Sequence, residues 1–352
     1  MIVGSASSVL MDVNEAHSAV HFVDGVDSAE SPLALYSGEV PSIFSDRVDF
    51  ELGTYFAAFP DSSGSCGISV GGIEGRFVTR ELPTLDVPLT DLEPIVGVSS
   101  TIWGRCGDLD ADGLEDLCYG GATFRFGPDF LEGDQIQIPL GEGGVALGSD
   151  AVFLGSFAMS GFEGGVTRLD LPLDGGPGVA AASGTPRANA GKSVCAGLGP
   201  DRDAVFVSGH TADGGRGMGW VVPGDFDGSA PLASIALATV RGDTSDEWFG
   251  FSCAVSDLTG DGEPDLIVGS PGRSRSSGSV TVFEGPVAGV LDATTAWARW
   301  TGPAIGDGFG TSVITGDFDG DGVTDLAVGA PRSSVTAAAQ GTVFVLFGPV
   351  PR

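Results

Sequence analysis

The sequence predicts an all-β chain built from repeats, and three observations predict it. Short apolar runs rich in Val, Ile, Leu and Phe are punctuated everywhere by turn residues, with 58 Gly and 21 Pro in 352 residues. Helix-period stretches with recognisable caps are nearly absent. One unit also recurs along the chain at roughly 35 to 60 residues, the spacing of propeller blades and far from the nine-residue repeat of calcium-binding β-helices. Together these predict a seven-bladed β-propeller with four antiparallel strands, A to D, in each blade. Length alone would suggest two domains, but closed all-β folds run long as one.

The unit is clearest at the end of the chain. Phe249 to Pro286 and Phe309 to Pro349 each read Phe-Gly, strand, Asp-rich loop, strand, Gly-Ser/Ala-Pro, loop, Gly, then a strand ending in Gly-Pro. Gly191 to Pro223 and Gly144 to Leu171 keep the strands without the Asp loop. Trp103 to Pro128 keeps the loop but shortens the rest, and Gly53 to Leu82 and Ser7 to Val40 are fainter. This places the blades at about 5–52, 53–100, 101–141, 142–189, 190–247, 248–307 and 308–352 plus 1–4 of a single domain. Ala293 to Thr301 is the expected strand D of the sixth blade. The seventh ends after its strand C, Gly341 to Phe347, whereas Met1-Ile2-Val3-Gly4 stands spare at the front. The N-terminal strand is therefore expected to close the last blade, which would remove an open edge.

Three stretches carry the chemistry: Asp108 to Asp116 (DLDADGLED), Asp257 to Asp265 (DLTGDGEPD) and Asp317 to Asp325 (DFDGDGVTD). Each sets oxygen side chains at positions one, three, five and nine, with Gly at six. A hard cation such as calcium takes six to eight oxygens at about 2.3–2.6 Å, and alternating Asp in a tight loop supplies them. The loops are not EF-hands. Position twelve is Tyr119, Val268 or Val328 instead of Glu, and short β-prone runs flank the loops where helices would stand. Each ion would sit in the turn between strands A and B.

Phe-Gly, an Asp-x-Asp-x-Asp-Gly loop and Gly-Ala-Pro, in that order, resemble the FG-GAP repeat of integrin α-subunit β-propellers. The resemblance is specific over the last hundred residues, good around Asp108 and an outline elsewhere. It implies a seven-bladed propeller, about three Ca2+ ions in A–B turns, and a secreted or cell-surface life, bacterial extracellular or periplasmic. Carried over by position, the ligands are Asp108, Asp110, Asp112, Asp116 and the Leu114 carbonyl; Asp257, Thr259, Asp261, Asp265 and the Glu263 carbonyl; and Asp317, Asp319, Asp321, Asp325 and the Val323 carbonyl. Thr259 replaces an acid, so the second site is expected to be the weakest by charge count. No integrin leg domain, membrane helix or partner subunit is recognisable.

Composition bounds the partners. Forty-seven acids against 16 bases give a net charge of −31, with Lys192 the sole lysine. Such a field repels phosphate backbones and anionic lipid, which argues against nucleic acid and membrane surfaces. No apolar run reaches the ~18 residues of a membrane span. Met1 to Asp12 shows no basic segment followed by an apolar one, so no export signal is visible, as for a mature domain or one piece of a longer surface protein. Cys66, Cys106, Cys118, Cys195 and Cys253 include no CxxC. Buried thiols packing as small hydrophobes are the expectation, a bridge between neighbouring repeats the alternative, and the odd number leaves one unpaired.

The expected role of the ions is structural, and no catalytic residue is assigned. His17, His21 and His210 have no Ser/Asp or Cys partner in a recognisable nucleophile pattern. In an antiparallel blade the B–C and D–A loops share the face opposite the Asp loops. They are the longer and more varied ones, and variable loops on a rigid scaffold are where recognition usually lies. Arg273, Arg275, Arg332, Trp248 and His210 are the candidate contacts there. The expected function is a non-catalytic extracellular binding or adhesion module for a protein or glycan. A lectin-type propeller is the first alternative, with Trp103 and Trp248 recurring at an equivalent position. A polysaccharide lyase is the second. Arg241-Gly242-Asp243 is read as ordinary turn chemistry, and Asp225-Phe226-Asp227-Gly228 is rejected as a calcium loop because Ala230 and Ala233 stand where oxygens are needed.

Overall fold

The computed structural model describes residues 143–156, 163–173, 180–201, 203–272, 277–317, 321–330, 332–333 and 342–348 closely. Before residue 143 it describes the strand backbones and 108–111. The chain divides into two compact units, one of Met1–Val26, Tyr36–Pro139 and Ser334–Thr342, the other of Asp27–Leu35, Leu140–Ser333 and Val343–Arg352. Among the described residues seven sheets are found, three in the first unit and four in the second.

In the first unit, Ile2–Ser8, His17–Phe22 and Ser42–Ser45 form one antiparallel sheet, with Val87–Pro88 added in parallel at its edge. Tyr55–Pro60, Cys66–Gly72, Gly75–Thr79 and Glu93–Pro94 form the next. Ile102–Gly107, Asp116–Tyr119, Thr123–Arg125 and Gln135–Gln137 form the third.

The second unit repeats the meander four times. Its sheets begin with Val145–Leu147, Ala190–Leu198, Ser252–Ser256 and Ser312–Gly316. The second strands carry apolar runs, and Ala151–Gly155, Ala204–Gly209 and Asp265–Ser270 are buried along their whole length. A continuous apolar run is what a strand covered on both faces needs. The first strands carry small and polar residues and are only half-buried, as at Ser252–Ser256. Three cores lie between successive sheets. Phe153 and Trp220 centre the first, Phe206, Phe249 and Phe283 the second, and Phe309 and Phe344 the third.

The Phe-Gly pairs explain how the sheets approach so closely. Phe249 is fully buried and Phe309 nearly so. Gly310 follows at φ 86°, and a Cβ there would lie 2.4 Å from the Ser279 carbonyl oxygen. The turn therefore demands both glycine's left-handed backbone and its missing side chain.

Three expectations are corrected. The outer strand of the last sheet does come from near the N-terminus, but it is Leu33–Leu35, paired antiparallel with Phe344 to Leu346. Ile2–Ser8, which contains most of the proposed clasp, pairs instead with His17–Phe22. The sixth strand D is shorter than expected. Ala293–Thr295 is a 3-10 turn whose start is capped by Asp292, accepting from the Thr294 N–H, and the strand is Ala298–Thr301. Finally, Cys195 and Cys253 are joined in a disulfide between the first strands of adjacent sheets, Cα atoms 6.3 Å apart. The side chains of Cys66, Cys106 and Cys118 lie outside the described residues.

One feature had no signal in the repeat. Gly228–Pro231 adds in parallel beyond Ala180–Ser183, and Gly289–Asp292 beyond Ala238–Arg241. Each comes from the C–D connection of the following sheet and covers an outer edge that would otherwise expose unpaired backbone. Among the described residues no helix is long and apolar enough to cross a membrane.

Candidate functional site

All three Asp loops occupy A–B turns, as their flanking strands require. In the first, Asp108 is exposed, Asp110 half-buried and Asp116 fully buried, and one carboxylate oxygen of each lies within 4.8 Å of the others. Asp116 Oδ2 also accepts a 2.6 Å hydrogen bond from the Leu109 N–H, which folds the loop back over its own last residue. Asp112 and Leu114 lie outside the described residues. Three converging hard oxygens with no soft donor suit an oxygen-seeking divalent cation.

The second loop is held by its own backbone. Asp257 Oδ1 accepts from the Gly260 and Asp261 N–H groups, and its Oδ2 from Gly262. Asp261 Oδ1 accepts from the Glu263 N–H. Asp265 is fully buried. Its Oδ2 takes the N–H groups of Leu258 and Thr259, and its Oδ1 takes that of Gly285, all at 2.9 Å. Burial pushes the Asp265 carboxyl above the usual range, opposed by those backbone donors. The third loop repeats the pattern. Asp317 accepts from Asp321 and Gly322, Asp321 from Val323, and buried Asp325 from Gly348. Asp319 lies outside the described residues. Among the described residues, Asp108, Asp110 and Asp116 alone draw three such groups together.

Sequence reasoning missed the second role of the ninth Asp. Asp265 and Asp325 reach across the sheet to Gly285 and Gly348, the residues that close strand C. A signal was present, because both glycines stand in the recurring Gly-Pro that follows that strand. Also missed was buried Glu247. Its Oε2 accepts from the Asp243 and Thr244 N–H groups, and its Oε1 meets Arg299 Nη2. That pair explains the Arg-Gly-Asp stretch as a turn held from inside, as expected.

On the opposite loops, Trp248 and His210 are brought together. The Trp248 ring lies 6.0 Å from Phe251 at 13°, and His210 meets both rings edge-on. Lys192 Nζ stands 5.2 Å above Phe251. Burial, then the Lys192 charge, lowers the His210 pKa to about 4. Arg332 is separate from this cluster. Its Nε donates to the Gly306 carbonyl and steadies the turn before Phe309. Arg273 and Arg275 lie outside the described residues. Asp225 to Gly228 leads into the edge-covering strand, with Phe226 buried beside Phe153.

Comparison with known proteins agrees with this arrangement. The FG-GAP repeat family matches residues 249–283 and 309–346. Integrin alpha-V of Gallus gallus is 37% identical over 86 residues, 24% of this chain and 8% of that protein. Integrin alpha-PS2 of Drosophila melanogaster is 35% identical over 121 residues, 32% of this chain and 8% of that protein. Integrin alpha-IIb of Mus musculus is 32% identical over 167 residues, 39% of this chain and 16% of that protein. The chain thus spans less than a fifth of these relatives. The WD40 domain of Toxoplasma gondii coronin superposes with a TM-score of 0.54 at 9% identity, covering 96% of this chain and 77% of that one. The fold is a β-propeller.

Proposed function

For a chain that carries FG-GAP repeats on an integrin-α-like β-propeller, we propose the role of a calcium-stabilised, non-catalytic extracellular adhesion module, its seven sheets acting as seven blades. The observation that carries the metal is the convergence of Asp108, Asp110 and Asp116 in an A–B loop whose motif recurs twice. Asp108, Asp110, Asp112, Asp116 and the Leu114 carbonyl would hold one ion. Asp257, Thr259, Asp261, Asp265 and the Glu263 carbonyl, and Asp317, Asp319, Asp321, Asp325 and the Val323 carbonyl, would hold two more. Calcium, when bound, neutralises carboxylates that otherwise repel and ties strands A and B together. The chain's own contribution is a loop whose Asp257 and Asp317 are already oriented by backbone N–H groups. Recognition of a protein or glycan falls to the B–C and D–A loops at the other end of each sheet.

Metal analysis and thermal melting test the metal. About three calcium ions per chain are expected, with a melting temperature that rises with calcium and falls with chelator. A ligand at a hundred times its Kd stabilises by about 2.7 kcal/mol. Asp110→Asn should weaken one site and leave the others. No bound metal and no shift at millimolar calcium would refute the reading.

A further inference from the structure

The D–A connections on either side of the fifth sheet and its own B–C loop border an open recess of about 330 Å³. That is the lower end of the range for small-molecule sites, about 300–1,000 Å³, with room for one or two sugar rings. Arg187 and Asn189 line it from one connection, Thr211 and Gly215 from the B–C loop, and Asp246 and Trp248 from the other connection.

Its backbone is unusual. Among the described residues six non-glycine positions have positive φ. Four of them, Arg187 (65°), Asn189 (47°), Asp246 (60°) and Trp248 (57°), line this recess, and Asp213 (52°) sits in the same B–C loop. A bulky residue at positive φ is a genuine outlier, and such strain gathers where a binding site over-determines the backbone. The surroundings hold it in place. The Trp248 N–H donates to the Gly215 carbonyl, and the Phe251 N–H donates to the Trp248 carbonyl. Phe251 stacks behind the indole. Gly215 sits at φ 89°, a backbone conformation that any side chain would strain, and a Cβ there would also crowd Asp246 Oδ1 at 3.1 Å.

We propose that this recess binds one neutral hexose-type residue of a glycan, with Trp248 as its platform and Asp246, Asn189 and Arg187 on its rim. The inference rests on the binding-module reading and names its ligand class. A pyranose presents an apolar C–H face, which a fixed indole covers, and a rim of hydroxyls that both donate and accept. Asp246 accepts, Arg187 donates and Asn189 does both. The Thr211 hydroxyl donates to the Arg187 carbonyl at 2.7 Å, which fixes that corner of the wall. One acid and one base leave the lining without net charge, so neither a polyanion nor a cationic side chain is favoured over a neutral ring.

The test uses the full chain in calcium and the methyl glycosides of glucose, galactose, mannose, fucose and N-acetylglucosamine. Saturation-transfer NMR and tryptophan fluorescence report binding, and an arginine-containing tripeptide is run beside them. At least one glycoside should bind. Asp246→Asn and Trp248→Ala should each weaken it about tenfold or more, the loss expected for a charge-assisted hydrogen bond or a stacking wall. Val290→Ser, at an exposed position on the edge-covering strand, should not. Asp246 is exposed, so its variant decides the matter if Trp248→Ala melts early. Three results overturn the proposal: no glycoside binds, binding survives both variants, or the tripeptide binds there and glycosides do not. If the calcium-dependent melting shift persists in those cases, the metal-stabilised module stands and this site alone falls.

Discussion

Replacing Asp265 by Ala separates the two duties of the ninth loop residue. Its carboxylate is fully buried and accepts three backbone N–H groups, from Leu258, Thr259 and Gly285. Hydrogen bonds to an ionised acceptor contribute about 1.5–3 kcal/mol each, so the gross loss is roughly 4–9 kcal/mol. Removing a desolvated carboxylate, whose pKa burial already raises, returns several kcal/mol. A net loss of about 3 kcal/mol remains. At about 2.1 cal/mol/K per residue, it lowers the Tm of a 352-residue chain by roughly 4 °C. The decisive condition is melting in chelator. A residue that acts solely as a metal ligand loses nothing there, because the wild type is equally metal-free. Asp265→Asn keeps one acceptor oxygen and turns an NH₂ toward a backbone donor, so it should fall between the two. Equal melting of Asp265→Ala and wild type in chelator would refute the metal-independent role of Asp265 in holding Leu258, Thr259 and Gly285.

Two further outcomes follow from the second unit. Cutting the Cys195–Cys253 bridge in a double Ala variant frees a loop with a sequence separation of 58 and should cost up to about 4 kcal/mol. A reductant should lower the wild-type Tm toward the variant and leave the variant unchanged, and an unmoved wild type would contradict the bridge. His210 has its pKa lowered to about 4. Between pH 6.5 and 4 the unfolded chain binds a proton that the folded one does not, so stability falls as pH drops through that window, by about 3 kcal/mol in all. His210→Gln should flatten that part of the urea-denaturation profile, and an unchanged slope would refute the assignment.

Much of the fold was legible because the repeat is written in residues with few alternatives. Phe249-Gly250 and Phe309-Gly310 mark buried corners where another residue would collide, and the apolar runs inside the second strands have no solvent-facing solution. The Asp loops were legible as turns, since Asp at the first position caps its own loop in Asp257 and Asp317 alike. The outer edges were harder to read. Gly228–Pro231 and Gly289–Asp292 are short and largely exposed, and they are strands because an edge lies open beside them. Nothing within four such residues announces that. The same holds for Leu33–Leu35, a three-residue strand that pairs along the open edge of Phe344 to Leu346. The recess around Trp248 was half visible. The loops were indicated, but left-handed Trp248 is held by the Gly215 carbonyl, which is distant in sequence, as well as by the nearby stacked Phe251.

The sheets without Asp loops show why an ion is not needed in each of them. In the sixth and seventh sheets the N–H that ends strand C is met by a carboxylate, Asp265 to Gly285 and Asp325 to Gly348. In the fourth sheet the corresponding Leu171 N–H donates to the backbone carbonyl of Asp150 at 2.8 Å, and the Gly148 N–H closes the A–B turn on the Ala151 carbonyl at 2.8 Å. Arg168 pairs with Asp170 on its own strand at 2.6 Å and with Asp150 across that corner at 3.7 Å. One corner is thus closed in two ways. A short turn finishes the ladder with main-chain atoms, whereas a nine-residue loop carries the ladder's end on a buried carboxylate. The longer loop then has further acids with no strand left to serve. Self-repulsion among those acids is what a cation relieves, so metal dependence is expected to follow loop length from sheet to sheet and to be absent at the fourth.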